Sequence, residues 1–307
     1  MRMKEKKIII KVPASTSNLG PGMDTLGLAL TLYNIYEITL TEGEPQVQII
    51  GKGKGVYPEN EENLVYQSAQ LLVNRVGGAD YRFKILIRSS IPTSGGLGGS
   101  ATARLAGLVG ANFLLGNPLT EEDIVDFAIK LEGHPDNVIP AFYGGFTVSC
   151  LTETGVKFIR CDFPARLRVV LAIPDFYIST EEARKCLPDR IPFQDVLFNT
   201  SRTAILVAAL LTGHIDFLSF AMEDRIHQIY RKNLIKPLPE VLEAALKAGA
   251  KGCALSGAGS AILALATDKE AQIGGVMKAV FQSYGIKCDV LVLDVDREGL
   301  QVQVVEN

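Results

Sequence analysis

The residues with the clearest chemical potential in this 307-residue chain are Ile91-Pro92-Thr93-Ser94-Gly95-Gly96-Leu97-Gly98-Gly99-Ser100-Ala101-Thr102. Four glycines fall within five positions. A loop without side chains lets a ligand approach the backbone closely. Where such a loop opens a helix, unpaired N–H groups and the positive end of the dipole favour an anion, most often phosphate. A plain turn that needs positive φ would carry the same composition. Two familiar nucleotide signatures are absent. No Gly-x-x-x-x-Gly-Lys-Ser/Thr occurs, and no lysine follows the glycines. Their spacing also differs from Gly-x-Gly-x-x-Gly, which would call for an acid about 20 residues later.

The elements around this loop are legible. Before it, Phe83, Ile85 and Ile87 alternate with Arg82, Lys84 and Arg88, with Leu86 breaking the polar face, which predicts a strand. After it, Ala101, Leu105, Leu108, Val109 and Phe113 recur at helical spacing, and the helix should end at Gly116, ahead of Pro118. Upstream, the pattern predicts a strand over 8–12, a polar loop over 13–22, and a mostly apolar segment over 26–32. Tyr33, Ile35 and Tyr36 lead into another strand, and a helix runs from 62 to about 76. Thr120-Glu121-Glu122-Asp123 is a capping box for a helix that stops at Glu132-Gly133. The pattern restarts after Phe158. A strand is expected over 167–173, with helices over 193–211, 215–231 and 240–248, the last with Pro239 at its start. A second small-residue loop covers 252–260. A strand over 262–265, a helix over 269–284 and a strand over 288–293 complete the reading.

Length favours two domains, divided near 155–165 and taken as 1–160 and 161–307. Apolar residues make up 47% of the chain, enough for packed cores. A net charge of −3 gives no support for a nucleic-acid partner. No uninterrupted 18-residue apolar run is present, so no membrane partner is expected. Residues 8–10 are too short for a secretory apolar segment, and a cytoplasmic protein is expected. Cys150, Cys161, Cys186, Cys253 and Cys288 form no C-x-x-C pair, which argues against a disulfide framework. They share no zinc-ligand spacing with His134, His214 and His227.

Three further stretches complete the chemical picture: Pro13-Ala14-Ser15-Thr16-Ser17-Asn18-Leu19-Gly20-Pro21-Gly22-Met23-Asp24-Thr25-Leu26-Gly27, Glu132-Gly133-His134-Pro135-Asp136-Asn137-Val138-Ile139-Pro140, and Leu255-Ser256-Gly257-Ala258-Gly259-Ser260-Ala261. With the glycine loop, and in this order, they resemble the motifs of the GHMP small-molecule kinases. The second stretch is similar to a signature of the homoserine kinase branch. The resemblance covers nearly the whole chain. It implies an α+β, two-domain GHMP kinase architecture: an N-terminal domain like the second domain of ribosomal protein S5, and a ferredoxin-like C-terminal domain. It also implies ATP and Mg²⁺, and transfer of the γ-phosphoryl group to the side-chain hydroxyl of L-homoserine, a step toward threonine. The expected assembly is a homodimer.

The same resemblance implies roles for individual residues. Residues 92–102 hold ATP, and Asn63 matches a position near the adenine base, or else caps the helix that follows it. Glu132 matches a Mg²⁺ ligand. It also sits at a helix C-terminus, where the dipole disfavours an acid and a hard cation would relieve the cost. Asn137 is expected to position or polarise the acceptor hydroxyl. Asp136 stands where some relatives carry a catalytic Asp, but in the homoserine branch it matches a substrate ligand, so the general base stays open. Homoserine is a zwitterion, and its site needs both signs. Asn18, Asp24, His134 and Asp136 match substrate positions, with Asp24 or Asp136 for the ammonium. Arg184 and Arg231 match the carboxylate ligands, where a planar guanidinium binds two oxygens at once. Two departures stand out. Gly99 replaces the first of two serines, the one expected beside Mg²⁺, leaving Ser100 with Glu132 as the expected metal contacts. Ser260 and Ala261 replace the usual Pro and Ser/Thr. Two alternatives follow: a GHMP kinase for another small alcohol, and a catalytically silent metabolite binder. An RNA-binding reading, from the shared ribosomal fold, is opposed by the acidic balance.

Overall fold

The structure, a computed structural model, describes residues 6–77, 81–93 and 95–305. Strand β1 (Lys7–Ser17) begins with buried Ile8, Ile10 and Val12 alternating with half-buried Lys7, Ile9 and Lys11. That is the period of a sheet with one face on a core. Its last residues, Ser15, Thr16 and Ser17, are polar yet buried. β2 (Leu26–Thr41) runs antiparallel to it, and the register shifts at Pro13/Ala14. The sequence pattern suggested an apolar segment and a separate strand here. The structure has one 16-residue strand, which carries the two extra residues Thr31 and Leu32 as a bulge opposite the Pro13–Ala14 step of β1 and continues on either side of it. β3 (Gln46–Gly51) joins β4 (Arg82–Ser89) in parallel, with α1 (Leu64–Arg75) in the connection. α2 (Gly99–Leu114), α3 (Glu121–Glu132) and α4 (Val138–Tyr143) follow, then the hairpin β5 (Phe146–Thr152) and β6 (Gly155–Cys161).

The second sheet holds β7 (Arg168–Pro174), β8 (Gly252–Leu255), β9 (Ile262–Ala266) and β10 (Cys288–Leu293) in the order β10-β7-β9-β8. Counted within this half, that order is 4-1-3-2 and all neighbours are antiparallel, the arrangement of the split βαβ, ferredoxin-like fold. Between β7 and β8 lie α5 (Thr180–Lys185), α6 (Phe193–Thr212), α7 (Leu218–Ala221), α8 (Gln228–Arg231) and α9 (Leu238–Lys247). α10 (Glu270–Ser283) connects β9 to β10. The single helix expected over 215–231 is instead a 3₁₀ turn at Ile215–Phe217 and two four-residue helices. The cause is Asp224, whose carboxylate accepts the N–H groups of Ile226, His227 and Gln228 at 3.0, 2.9 and 2.6 Å. A side chain that captures three amides ends one helix and starts another. The last strand, β11 (Gln301–Val305), returns to the first sheet and pairs with β1.

Three apolar clusters hold the layers. One packs α1, α2 and α3 on the first sheet, and one lies within the second half. The third is shared: Leu19, Leu26, Leu28 and Leu30 pack with Leu167, Val169, Leu171 and Leu206. This common core fixes the two sheets relative to each other and holds the cleft between them in shape.

Candidate active site

The glycine loop enters from the end of β4. Asn34 Oδ1 accepts the N–H of Ser90 and of Ile91 at 2.9 and 3.0 Å, which sets the direction of departure. Leu97 O accepts Ser15 N–H at 3.2 Å, so the loop lies against the end of β1. Gly98 has φ +70°, and a Cβ there would stand 2.2 Å from Ser15 Oγ. At Gly96, φ is +62° and a Cβ would meet Ser256 O at 2.1 Å. Both positions therefore need glycine for conformation and for space. α2 then starts on Gly98 with no side-chain cap, so its first N–H groups point at the cavity. That cavity encloses about 490 Å³ between the two halves, a size ordinary for a small-ligand site. Thr93, Gly95, Gly96, Leu97, Gly98, Gly99, Ser100 and Pro92 lie on its wall. Ala101 and Thr102 do not. Both are fully buried, and Thr102 shares a 2.8 Å hydrogen bond with Tyr36 in the core. Ser94 lies outside the described residues.

Asn63 lines the cavity, but both ends of its amide are in use. Oδ1 accepts Val65 N–H at 3.0 Å and Nδ2 donates to Pro58 O at 2.8 Å, so it caps α1. Val56, Tyr57 and Pro58 give this end of the cavity an apolar wall. Nothing in their spacing marked them in the sequence.

Glu132 closes α3 and reaches the first turn of α2. Ser100 Oγ donates to its Oε1, and Arg104 Nε donates to its Oε2 at 2.8 Å. Arg104 therefore supplies part of the positive charge that a helix C-terminus denies an acid. It lies one turn after Ser100, and nothing in the sequence pattern marks it out from a surface arginine. A carboxylate and a hydroxyl side by side at the phosphate loop are hard oxygen donors, the set that suits Mg²⁺.

The opposite end of the cavity is polar and doubly charged. Asn18, Leu19 and Asp24 are all left-handed, with φ of 71, 47 and 55°. Such strain in non-glycine residues clusters where geometry serves a ligand. Asn18 Nδ2 donates to Gly257 O at 2.9 Å, and its Oδ1 accepts Asp24 N–H at 3.0 Å. Its side chain thus shapes the loop that presents Asp24. Asp24 accepts two hydrogen bonds from Arg184, at 2.6 and 3.1 Å. His134 Nδ1 lies 2.6 Å from Asp136 Oδ1, both buried. Burial works to lower the His134 pKa, but the hydrogen bond and charge of Asp136, with Glu132 and Asp24 adding, raise it above its ordinary value. Asn137 is held at both ends: Oδ1 accepts Ser15 Oγ–H at 2.9 Å and Nδ2 donates to Ser17 Oγ at 3.1 Å. Arg231, only 2% exposed, donates from Nε to Ala183 O at 3.2 Å and from Nη1 to Gly257 O at 2.9 Å. Its third partner is His227 Nδ1 at 3.1 Å.

Residues 63–145 match the model of the GHMP kinases N terminal domain, and residues 206–281 match that of the GHMP kinases C terminal. The chain belongs to the GHMP kinases. A homoserine kinase from Petrotoga mobilis is 41% identical over 96% of each chain. One from Moorella thermoacetica is 41% identical over 92% of this chain and 95% of its own. The crystal structure of homoserine kinase from Cytophaga hutchinsonii superposes with a TM-score of 0.86 at 30% identity, covering 99% of this chain and 98% of that one. The α+β, two-domain GHMP kinase fold expected from the motifs is the fold found. In this GHMP kinase the two departures have structural answers. Among the described residues a Cβ at Gly99 would meet nothing nearer than Tyr57 Oη at 3.9 Å, so the missing serine leaves open space there. Ser260 Oγ donates to Phe176 O at 2.7 Å, so that hydroxyl ties down backbone.

Proposed function

We propose that this GHMP kinase transfers the γ-phosphoryl group of ATP to the side-chain hydroxyl of L-homoserine, giving O-phospho-L-homoserine. The supporting observation is Arg231. It is buried, it faces the cavity, and its hydrogen-bond acceptors among the described residues are two carbonyls and an imidazole. A buried guanidinium without a carboxylate partner calls for an anionic ligand group. At the same end of the cavity, Asp24 and Asp136 provide the negative charge an ammonium needs. A small alcohol carrying both charges fits this pairing; galactose, which is uncharged, does not.

Phosphoryl transfer needs positioning and charge neutralisation more than covalent help. In this reading the backbone of 92–99 and the start of α2 hold the phosphates. Glu132 and Ser100 would hold Mg²⁺, which would supply positive charge against that of the phosphates. The zwitterion exchanges into the Asp24–Arg184 pair: its carboxylate joins Arg184 and Arg231, and its ammonium joins Asp24 and Asp136. The Asn137 carboxamide, fixed by Ser15 and Ser17, orients the acceptor hydroxyl toward the phosphates. Asp136 is engaged by His134, which suits a binding role better than that of a general base.

Substrate analogues test the charge reading. 3-Aminopropan-1-ol lacks the carboxylate and 4-hydroxybutanoate lacks the ammonium. Each should lose roughly 100-fold or more in kcat/KM relative to homoserine. Turnover of 3-aminopropan-1-ol at the homoserine rate would remove the carboxylate assignment.

For the assembly we propose a homodimer seated on α6. Its outer stripe exposes Phe193, Leu197 and Leu211 by 73, 53 and 52%, while Leu206 and Leu210 face the shared core. By length and composition α6 is also apolar enough to cross a membrane.

A further inference from the structure

Among the described residues the hydrogen-bond partners of Arg231 are neutral groups, and one of them is a side chain with no obvious reason to be there. His227 is completely buried, immediately before α8. Its Nδ1 sits 3.1 Å from Arg231 Nη1, and its Nε2 sits 2.7 Å from Gly20 O. A guanidinium can only donate, and a carbonyl can only accept. The two contacts therefore require one tautomer: Nδ1 bare and accepting, Nε2 protonated and donating. The ring is a bridge with a defined direction, from the Gly20 carbonyl in the loop that carries Asn18 and Asp24 to the arginine of α8. Sequence spacing gave no hint of it beyond the i, i+4 relation of His227 to Arg231.

We propose that His227 is a positioning residue that orients the Arg231 guanidinium toward the substrate carboxylate without neutralising it. This rests on reading Arg231 as the carboxylate ligand. A carboxylate in place of the imidazole would fix the arginine equally well, but it would satisfy the charge that the substrate must satisfy. A neutral imidazole directs the fork and leaves the charge for the ligand. Burial first, and the adjacent Arg231 charge, lower the His227 pKa, against opposing effects of Asp224, Gly20 O and Asp24. Asp224 Oδ2 is 3.8 Å from Nε2, and that carboxylate is already occupied by three backbone amides and the Asn199 amide. Arg231 lines the cavity with Arg184, the second carboxylate candidate; burial first, and the like charge of Arg184, lower its pKa, against Cys186, Asp224 and Asp24.

Two substitutions separate the two ring nitrogens. His227→Asn places an amide oxygen close to the Nδ1 position and retains an acceptor for Arg231. His227→Gln reaches the Nε2 position and retains the donor to Gly20 O, but not the acceptor. His227→Gln should raise the homoserine KM roughly 10-fold, with the ATP KM and kcat within about 2-fold of wild type, and His227→Asn should restore most of the loss. In the Arg231→Ala background, His227→Gln should have no further effect on the homoserine KM. Equal effects of Asn and Gln, a parallel rise in the ATP KM, or an undiminished effect without Arg231 would each overturn the proposal. If Arg231→Ala itself leaves the homoserine KM unchanged, the carboxylate reading fails instead. A measurement on the wild-type protein covers the case in which the variants do not fold. Nitrogen-15 spectra of the histidines should show His227 as the Nε2–H tautomer throughout about pH 6 to 9. An imidazolium or an Nδ1–H tautomer in that range would contradict the geometry.

Discussion

Glu132 offers one carboxylate to Ser100, to Arg104 and, in the proposed mechanism, to Mg²⁺. Removing its charge should cost more than removing any loop hydroxyl. Glu132→Gln should lower kcat roughly 100-fold and raise the Mg²⁺ concentration needed for half-maximal rate; turnover indifferent to the change would take this acid out of the metal site. Gly99→Ser enters open space at ordinary φ, so it should fold normally and lower the Mg²⁺ requirement. An unchanged requirement would mean the hydroxyl does not reach the metal. His134 makes a second prediction. Its folded-state pKa is raised, so the stability gained from its pairing with Asp136 is fully present below the unfolded value near 6.5. That gain is lost as pH rises through the raised folded value. The melting advantage of wild type over Asp136→Asn should therefore shrink across that window. An advantage that grows with pH would contradict the pairing. The sequence made the charged and catalytic residues legible because their types and order are unusual. Arg104, Ser15, Ser17 and His227 were not legible, because each acts by touching a residue far along the chain or one helical turn away, and single positions carry no record of such contacts.

The loop and α2 form one device, since the residue that lets the loop turn also lets it lie against Asn137. Gly98→Val would need a β-branched residue at φ +70° and a Cβ 2.2 Å from Ser15 Oγ and 3.2 Å from Asn137 Oδ1. The local strain is about 1–3 kcal/mol, enough to lower Tm by a few degrees without unfolding the protein. Calorimetric titration should show ATP affinity reduced roughly 100-fold or lost. Normal affinity would make the loop a plain turn. The strand and helix beside this loop were legible because each has a clean period: β4 alternates and α2 repeats its apolar positions. Other elements hid for physical reasons. β6 has only half-buried and exposed residues, so no apolar face marks it. α4 and α5 are six residues each, too short to show a helical period. The stretch 215–231 has a helical period, but Asp224 diverts its amides, and a side chain that competes with the backbone is invisible to periodicity.

The whole molecule is two sheets joined by a shared core, with the cleft at their junction and β11 crossing back to the first sheet. Chain length anticipated two halves, but nothing in the sequence pattern signalled that the last strand would pair with the first. The exposed stripe of α6 belongs to this scale. Leu197→Glu combined with Leu211→Glu should convert the proposed dimer to a monomer in sedimentation velocity, with melting little changed, because both side chains lie outside the core. A wild-type protein that sediments as a monomer would remove the dimer. The central claim is that this cleft phosphorylates homoserine. The direct test is ADP release with homoserine, mevalonate, galactose and threonine, with the product identified by phosphorus NMR. Homoserine should be turned over with a kcat/KM at least about 100-fold above the others and yield O-phospho-L-homoserine. Preference for another alcohol, or no ADP release at any Mg²⁺ concentration, would contradict it.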